Sequence, residues 1–258
     1  MRAFPSAVAL GIALWMSTAG QARSPAPADS APAWCAPELE TLPGETCFFA
    51  PKDAAESASS TLVIYLHGVI KPDTTWQFTQ QRAMVRHAKV HHFSVIVPRG
   101  RRGIGPKDMR DWWTWPTSVR AQALVEEDVI HELVQTKALL EQRNGRPFDR
   151  TYVFGFSNGA YYATALALRG KLPVDGYAVM AGGSASYLTR HAQGTKRRPP
   201  IYVGYGERDA TASRDCQRLG AALRALGWRY RLRGRRNVGH TMTDSQVAEA
   251  LEFFARSP

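Results

Sequence analysis

The sequence predicts an α/β domain with a mostly parallel central sheet and helices on both faces of that sheet. From about residue 45 onward, short apolar runs alternate with helical patterns. Four of the runs are nearly continuous in Val, Ile, Tyr and Phe, which is typical of strands covered on both faces. This alternation favours parallel strands that are joined by helices. The predicted strands are 45–50, 61–68, 93–100, 151–157, 175–183, 201–206 and 228–234.

Residues 1–22 have the features of a removable signal peptide. Arg2 supplies a positive charge, residues 7–16 are apolar, and small residues up to Ala22 suit cleavage. The apolar run is too short to span a membrane as a helix. We therefore expect an exported protein, either secreted or periplasmic.

The residues that follow the signal peptide divide into a linker and one domain. Residues 23–33 are rich in Pro and Ala, so the folded domain is expected over 34–258. Export makes disulfides possible, and Cys35 and Cys47 flank one short turn-rich stretch, so we expect them to pair. Cys216 recurs with leucine residues at helical spacing, which favours a buried apolar position over a reactive thiol.

Two helices have recognisable ends in the sequence. The first is predicted to begin at Pro116, Thr117 or Ser118 and to end at Asn144 and Gly145. Its apolar positions are Val125, Val129, Leu133, Val134 and Leu140. The last is predicted to begin at a capping box formed by Thr243 and Gln246.

The composition narrows the class of function. With 44% hydrophobic and 21% charged residues in 258, the chain is globular and has no membrane-length apolar stretch after residue 20. The net charge is +11, but segments 99–102, 196–198 and 229–236 are interpreted as solvated basic faces, because they lack the interleaved aromatic residues of a stacking platform. No nucleic-acid partner is expected. No His, Cys or carboxylate grouping has convincing metal spacing, so no metal is expected, and the oligomeric state is left open.

The most informative motif is Gly155-Phe156-Ser157-Asn158-Gly159, at the junction of a predicted strand and a predicted helix. A Gly-x-Ser-x-Gly in that position is typical of a nucleophile elbow, a sharp turn that exposes the serine hydroxyl. A side chain at either glycine would collide with the neighbouring elements. The helix that follows points its N-terminal amides at the same place, which suits a negative oxygen. Ser157 is therefore the candidate nucleophile.

A serine nucleophile needs a base, and the base needs a carboxylate that orients it. The order Ser, acid, His favours His240, between the last strand and the last helix, over His191, which lies in a polar basic loop. Asp209 is the candidate acid, because it lies just past the carboxyl end of a strand. Glu207 is its near rival. Asp244 is the next alternative, although stabilising a helix start is enough to explain it.

Acyl transfer also needs two hydrogen-bond donors for the oxyanion. One is expected to be the backbone N–H of Asn158, directly after the nucleophile. The other is expected from the loop that follows the strand 61–68, where the backbone N–H of Val69 is the candidate.

These pieces together resemble an alpha/beta-hydrolase of the secreted esterase group that includes polyhydroxybutyrate depolymerases and feruloyl esterases. The resemblance covers roughly residues 60–256 and implies the fold, a serine-esterase activity and no cofactor. That group commonly carries a Trp-x-Trp before the nucleophile strand, which Trp113 and Trp115 match. The matching segments are 65–68, 113–115, 148–160, 206–209 and 239–240.

The tryptophan cluster Trp112, Trp113 and Trp115 has two interpretations. At least one of the three is expected in the core, because aromatic side chains are more often buried than exposed to a ligand. Three tryptophans within four consecutive positions are more than one loop is expected to bury. Trp113 and Trp115 are therefore candidates for lining an apolar acyl or aromatic pocket.

The sequence as a whole predicts an exported serine hydrolase that cleaves a carboxylic ester, either a small molecule or a polymer. A peptidase or an acyltransferase is the alternative with the same chemistry, because fold and triad do not set the leaving group. A non-catalytic protein that binds a polyanion is the alternative from another class.

Overall fold

Eight strands form one sheet in the part of the chain that the computed structural model describes, which is residues 33–52, 60–183, 192 and 194–256. The expected signal peptide and the linker up to residue 32 lie outside these described residues, as does His191. The strands are β1 Glu40–Leu42, β2 Thr46–Phe49, β3 Thr61–Leu66, β4 Ser94–Val97, β5 Arg150–Phe156, β6 Gly176–Met180, β7 Ile201–Gly206 and β8 Tyr230–Arg235.

Five helices are described; four of them connect successive parallel strands, and the fifth follows β8. None of the helices in the described ranges is long and apolar enough to cross a membrane. They are α1 Trp76–His91, α2 Val119–Asn144, α3 Asn158–Arg169, α4 Ala210–Ala225 and α5 Asp244–Ala255.

The strand order is β1-β2-β4-β3-β5-β6-β7-β8, and every pair from β4 to β8 is parallel. Only β1 and β2, at one edge, pair in the antiparallel direction. All seven predicted strands are present, and the mostly parallel sheet is confirmed. The sequence analysis missed β1, because its three residues carry no strand pattern of their own and pair only through the turn Pro43–Glu45.

The core has two layers, one on each face of the sheet. Leu62 and Ile64 of β3 pack in a cluster with residues of α2, α3 and α4, whereas Val63 and Tyr65 pack in a second cluster with α1 and α5. Neighbouring side chains of a strand point to opposite faces, so one continuous apolar strand supplies both layers. The prediction of helices on both faces is confirmed.

The predicted start and end of α2 and the predicted start of α5 are also confirmed. The Ser118 hydroxyl accepts the N–H of Ala121 at 3.2 Å, and Gly145 ends α2 with a φ of 68°. Thr243 and Gln246 form the capping box at the start of α5. These local signals place the loop before α5, which contains His240.

A disulfide joins Cys35 to Cys47, the pairing that the sequence predicts, and it attaches the N-terminal segment to β2. Gln81 of α1 reinforces this attachment, because its side chain accepts the N–H of Ala36 at 2.7 Å and donates to the carbonyl of Trp34 at 2.9 Å. Cys216 is a buried free thiol on α4, and burial raises its pKa to about 12. Such a thiol is unreactive at neutral pH.

Replacing both Cys35 and Cys47 by alanine should lower the free energy of unfolding by about 3 kcal/mol, because the bond no longer restricts the unfolded chain. The melting temperature should fall by about 6–12 °C in calorimetry. Cys216→Ala is the matched control, since it leaves the disulfide intact. A reductant that breaks the disulfide should lower the melting temperature of this variant as much as that of the unmodified protein. A double variant as stable as the unmodified protein would contradict a stabilising disulfide.

Candidate active site

Ser157 lies in the turn between β5 and α3 and has a positive φ in a sparsely populated backbone conformation, with φ 52° and ψ −117°. A Cβ atom on Gly155 would lie 2.4 Å from the carbonyl oxygen of Gly159, and one on Gly159 would lie 2.0 Å from that of Leu66. Only glycine fits at these two positions. The motif therefore forms a sharp, strained turn, and the strain is held by close packing of α3 against β3 and β5.

Ser157, His240 and Asp209 are joined by hydrogen bonds. The hydroxyl of Ser157 lies 2.8 Å from Nε2 of His240, and Nδ1 of the same ring contacts Oδ2 of Asp209. The side chain of His240 is half exposed, and the ring of Phe156 lies against it at a centroid distance of 5.2 Å. The structure thus brings together the three residues that the sequence singles out.

Asp209 is fixed at the N-terminus of α4. Its Oδ1 accepts the N–H of Ala212 at 3.0 Å, which leaves Oδ2 for His240. Partial burial raises the pKa of the carboxyl, but the hydrogen bonds from Ala212 and His240 more than offset this, so the pKa lies below its ordinary value. The carboxylate is therefore charged at neutral pH.

A second close approach brings the Asp209 and His240 loops together. A Cβ atom on Gly206, at the end of β7, would lie 2.3 Å from the carbonyl oxygen of Gly239. The N–H of Arg208 donates to the carbonyl of Val238 at 2.9 Å. Gly206, the last residue of β7, is thus a signal for the meeting of these loops that the sequence analysis did not use.

The rival acids lie elsewhere. Glu207 is exposed at the end of β7, and its backbone N–H donates to the carbonyl of Arg235. Asp244 contacts Arg86 at 3.4 Å and His87 at 3.3 Å, in the first turn of α5. Neither carboxylate is bonded to His240.

The two candidate oxyanion donors flank the nucleophile. Asn158 is the first residue of α3, and its side-chain oxygen accepts the N–H of Trp115 at 2.7 Å. Val69 follows β3 and lines the cavity next to Ser157. The preceding N–H, that of Gly68, donates to Oε1 of Gln80 at 2.8 Å, so α1 holds the Val69 loop in place.

His67 is a buried structural histidine beneath that loop. Its Nε2 accepts the N–H of Gly100 at 3.0 Å, so the proton is on Nδ1, which donates to the carbonyl of Gly68. Burial lowers its pKa to about 4, and the ring is neutral at neutral pH. The indole N–H of Trp115 donates to the carbonyl of His67 at 2.9 Å. The sequence analysis recognised the His-Gly pair but not this positioning role.

An open cavity of about 300 Å³ adjoins Ser157 and His240. Apart from His240, none of the residues that line it is ionisable, and its walls are mostly apolar. Trp76, at the start of α1, is 47% exposed and packs edge to face on Trp112 with ring centroids 5.8 Å apart. The sequence analysis missed the lining residues of α1. The remaining walls are formed by Gly68, Val69, Thr79, Gln80 and Phe156.

The expected pocket role of Trp113 and Trp115 is corrected by the structure. Trp115 is 1% exposed and stacks on Tyr162, so no substrate can reach its ring. Trp113 lies under the guanidinium of Arg99 at 4.2 Å and is not among the residues that line the cavity. The backbone of this segment pairs with Ile70 and Arg101. Both tryptophans therefore pack beside the Val69 loop.

Metal ligands do not converge in the described ranges. No group of three His, Cys, Asp or Glu side chains there could hold a metal ion.

The stability of the protein should depend on His67 in acid. The unfolded chain protonates this ring near pH 6.5, whereas the folded ring stays neutral to about pH 4, so the unfolded state binds more protons between these values. The free energy of unfolding should therefore fall as the pH falls, by up to about 1.4 kcal/mol per pH unit from this residue. In urea unfolding at pH 7 and pH 5, His67→Gln should show a smaller decrease than the unmodified protein. Equal decreases would contradict a buried neutral histidine.

The fold is shared with solved hydrolase structures. Esterase PE8 is 20% identical with a TM-score of 0.58, and the match covers 81% of this chain and 98% of that one. A Bacillus cereus carboxylesterase is 18% identical with a TM-score of 0.54, covering 82% and 93%. Siderophore hydrolase EstA from Aspergillus nidulans is 15% identical with a TM-score of 0.55, covering 83% and 90%. At such low identity these likenesses establish the alpha/beta-hydrolase fold and no more.

The family follows from the sequence. A comparison with curated proteins gave no match. The profile of the phospholipase/carboxylesterase family, however, matches residues 52–257, which is most of the chain and includes the strained turn, Asp209 and His240. The protein therefore belongs to the phospholipase/carboxylesterase family, and its fold is that of an alpha/beta-hydrolase.

Proposed function

We propose that the protein is an exported serine esterase in which Ser157 attacks the carbonyl carbon of a carboxylic ester. The hydrogen-bonded line from Ser157 through His240 to Asp209 is the observation that carries the proposal. Such a line lets the imidazole remove the serine proton while the carboxylate stabilises the imidazolium. Membership of a family that includes carboxylesterases supports an ester over an amide as the substrate.

The reaction proceeds in two halves. His240 Nε2 accepts the proton of Ser157 as its oxygen bonds to the carbonyl carbon, and the oxyanion receives hydrogen bonds from the backbone N–H groups of Val69 and Asn158. The start of α3 adds a favourable field for the negative oxygen. The alcohol leaves with the proton from His240, and an acyl-enzyme remains on Ser157. Water, deprotonated by His240, then releases the acid and restores the serine.

The substrate part that enters the cavity is an uncharged, apolar acyl group. No fixed charge lines the cavity to pair with an ionised group, and desolvating an unpaired charge is costly. The volume of about 300 Å³ suits a short acyl chain or a single ring. The resemblance of segments 65–68 and 148–160 to secreted esterases supports an ester as the substrate.

Export is supported by a different feature, the disulfide Cys35–Cys47, because disulfides form in oxidising compartments outside the cytosol.

A fluorophosphonate probe tests the nucleophile. It should label the unmodified protein at one site, and peptide mass spectrometry should locate the label on Ser157, because the probe requires a serine that is activated by a base. Ser157→Ala should show no label and should lose ester hydrolysis by several orders of magnitude. Cys216→Ala serves as a control outside the site and should be labelled normally. Absence of labelling in the unmodified protein would favour a non-catalytic binding protein.

Asp209→Asn tests the acid and should lower kcat on a p-nitrophenyl ester by about 10³–10⁴, because the amide removes the charge and favours the wrong imidazole tautomer. KM should change little. Glu207→Gln is the matched control, two residues away and exposed, and should stay close to the unmodified kcat. If Glu207→Gln were the crippled variant, the acid would be misassigned while the esterase proposal would stand.

Trp76→Ala tests the acyl pocket. It should lower kcat/KM for p-nitrophenyl benzoate about tenfold while changing that for the acetate little, because a ring buries more apolar surface on the indole than a methyl group does. Trp76→Phe keeps an aromatic face and should retain most of the benzoate activity. Equal losses on both esters would show that Trp76 does not bind the acyl group.

A further inference from the structure

The positive charge of the protein is concentrated in one part of the chain. Residues 196–236 contain twelve basic and three acidic residues, whereas the whole chain has a net charge of +11. Eleven of the twelve are arginines. Most of the net charge therefore comes from about a sixth of the sequence. Solubility alone does not require such a concentration, because basic residues spread over the whole chain would serve it equally well.

The fold gathers this stretch at the β8 edge of the sheet. In the described sheet, β8 is the last strand and pairs only with β7, and α4 packs against it. The Nε–H of Arg224 on α4 donates to the hydroxyl of Tyr230 on β8 at 3.2 Å, so the C-terminal end of the helix lies beside the start of the strand. We call this surface the basic edge, and its residues are Arg214, Arg218, Arg224, Arg231, Arg233 and Arg236.

The acidic residues of the same stretch leave the basic edge largely unneutralised. Asp209 is bonded to His240, and Asp215 accepts the hydroxyl of Tyr161 at 2.6 Å. Within the described part of the chain, Arg218 alone among the six has a carboxylate at ion-pair distance, that of Asp215 at 4.0 Å. Exposed Glu207 is the remaining acid. Arg224 and Arg231 also contact uncharged groups, the hydroxyl of Tyr230 and, at 5.0 Å, the ring of Phe253, but neither of these partners neutralises the charge.

We propose that the basic edge binds a linear acidic polysaccharide. Arginine side chains offer planar pairs of N–H donors that match carboxylate and sulfate groups. Arg231 and Arg233 stand two residues apart on one strand, about 6.6 Å along it, so their charges follow a line rather than surround a point. A row of this kind suits a polymer with repeated charges.

Two other polyanions fit the surface less well. Binding to an anionic membrane is strengthened by apolar side chains that enter the lipid. The exposed large hydrophobic residues of the described chain lie on α1 and α2, at Trp76, Val90, Val119, Leu124 and Val134, and none is on the basic edge. Binding to single-stranded nucleic acid uses exposed aromatic faces on which bases stack. On the basic edge, Tyr230 is partly buried and bonded to Arg224.

The basic edge leads toward the candidate active site. Arg236 lies in the loop between β8 and α5, four residues before His240. A polymer held on the edge would therefore present its substituents near Ser157. The presentation of substituents to Ser157 rests on the proposed function, whereas the binding of the polymer to the basic edge does not.

Binding of the protein to polygalacturonate, measured by calorimetry at several salt concentrations, tests the proposal. Two triple variants remove the charges of the edge: R214Q/R218Q/R224Q on α4, and R231Q/R233Q/R236Q on β8 and the residue that follows it. Each should weaken binding about tenfold at low salt and should reduce the slope of log affinity against log salt by about two, because fewer counterions are released. The matched control K89Q/R120Q/R150Q removes the same net charge from exposed scattered positions and should bind within about twofold of the unmodified protein.

The outcomes separate the proposal from its alternatives. Thermal unfolding of each variant checks the fold, and Ser157→Ala should bind the polymer normally, so binding can fail or succeed independently of catalysis. If the scattered control weakened polymer binding as much as the triple variants do, net charge alone would determine the affinity. This result would overturn the basic edge as the binding surface. Tighter binding to phosphatidylglycerol vesicles or to DNA than to polygalacturonate would overturn the polysaccharide.

Discussion

The close packing of α3 against the ends of β3 and β5 is the constraint on which the site depends. The backbone of Gly159 approaches the carbonyl of Leu66 so closely that no side chain fits between them. Because the helix must begin at this point, Ser157 adopts a positive φ and its hydroxyl is directed out of the sheet toward His240. Strain at a single residue is maintained by the many apolar contacts of α3 in the core.

The loop after β3 depends on a second set of contacts, which come from three separate parts of the chain. His67 is bonded to Gly100, Gly68 to Gln80, and the carbonyl of His67 to Trp115. These bonds are buried or partly buried, and so each of them resists movement of the loop more than an exposed bond would. Trp115 also links the loop to Asn158, so both candidate oxyanion donors belong to one connected network. Preorganised donors of this kind need little rearrangement when charge develops.

The charges of the protein are separated in space. The cavity at Ser157 is mostly apolar and its one ionisable lining residue is His240, while arginines cover the β8 edge of the sheet. Moving an apolar group out of water is favourable. Exposed arginines, by contrast, attract anions over about a Debye length while they stay hydrated. The two proposals therefore assign these surfaces to different parts of one molecule, the cavity to an uncharged acyl group and the basic edge to an acidic chain.

The features that the sequence alone determined are those fixed by interactions between residues close together in the chain. The strands, the capping box of α5, the turn at Ser157 and the position of Asp209 after β7 each depend on neighbours within a few residues, which makes them readable from the sequence. The tertiary structure alone decided how distant segments meet. Trp76 and Gln80 reach the cavity because α1 packs beside the β3 loop, and no local pattern of α1 indicates this. Trp115 is in the core because its segment pairs with Ile70 and Arg101, so its aromatic character could not reveal which way it points. The basic edge likewise exists because β8 ends the sheet and α4 packs against it, so the arginines of the helix and those of the strand come to the same edge of the sheet.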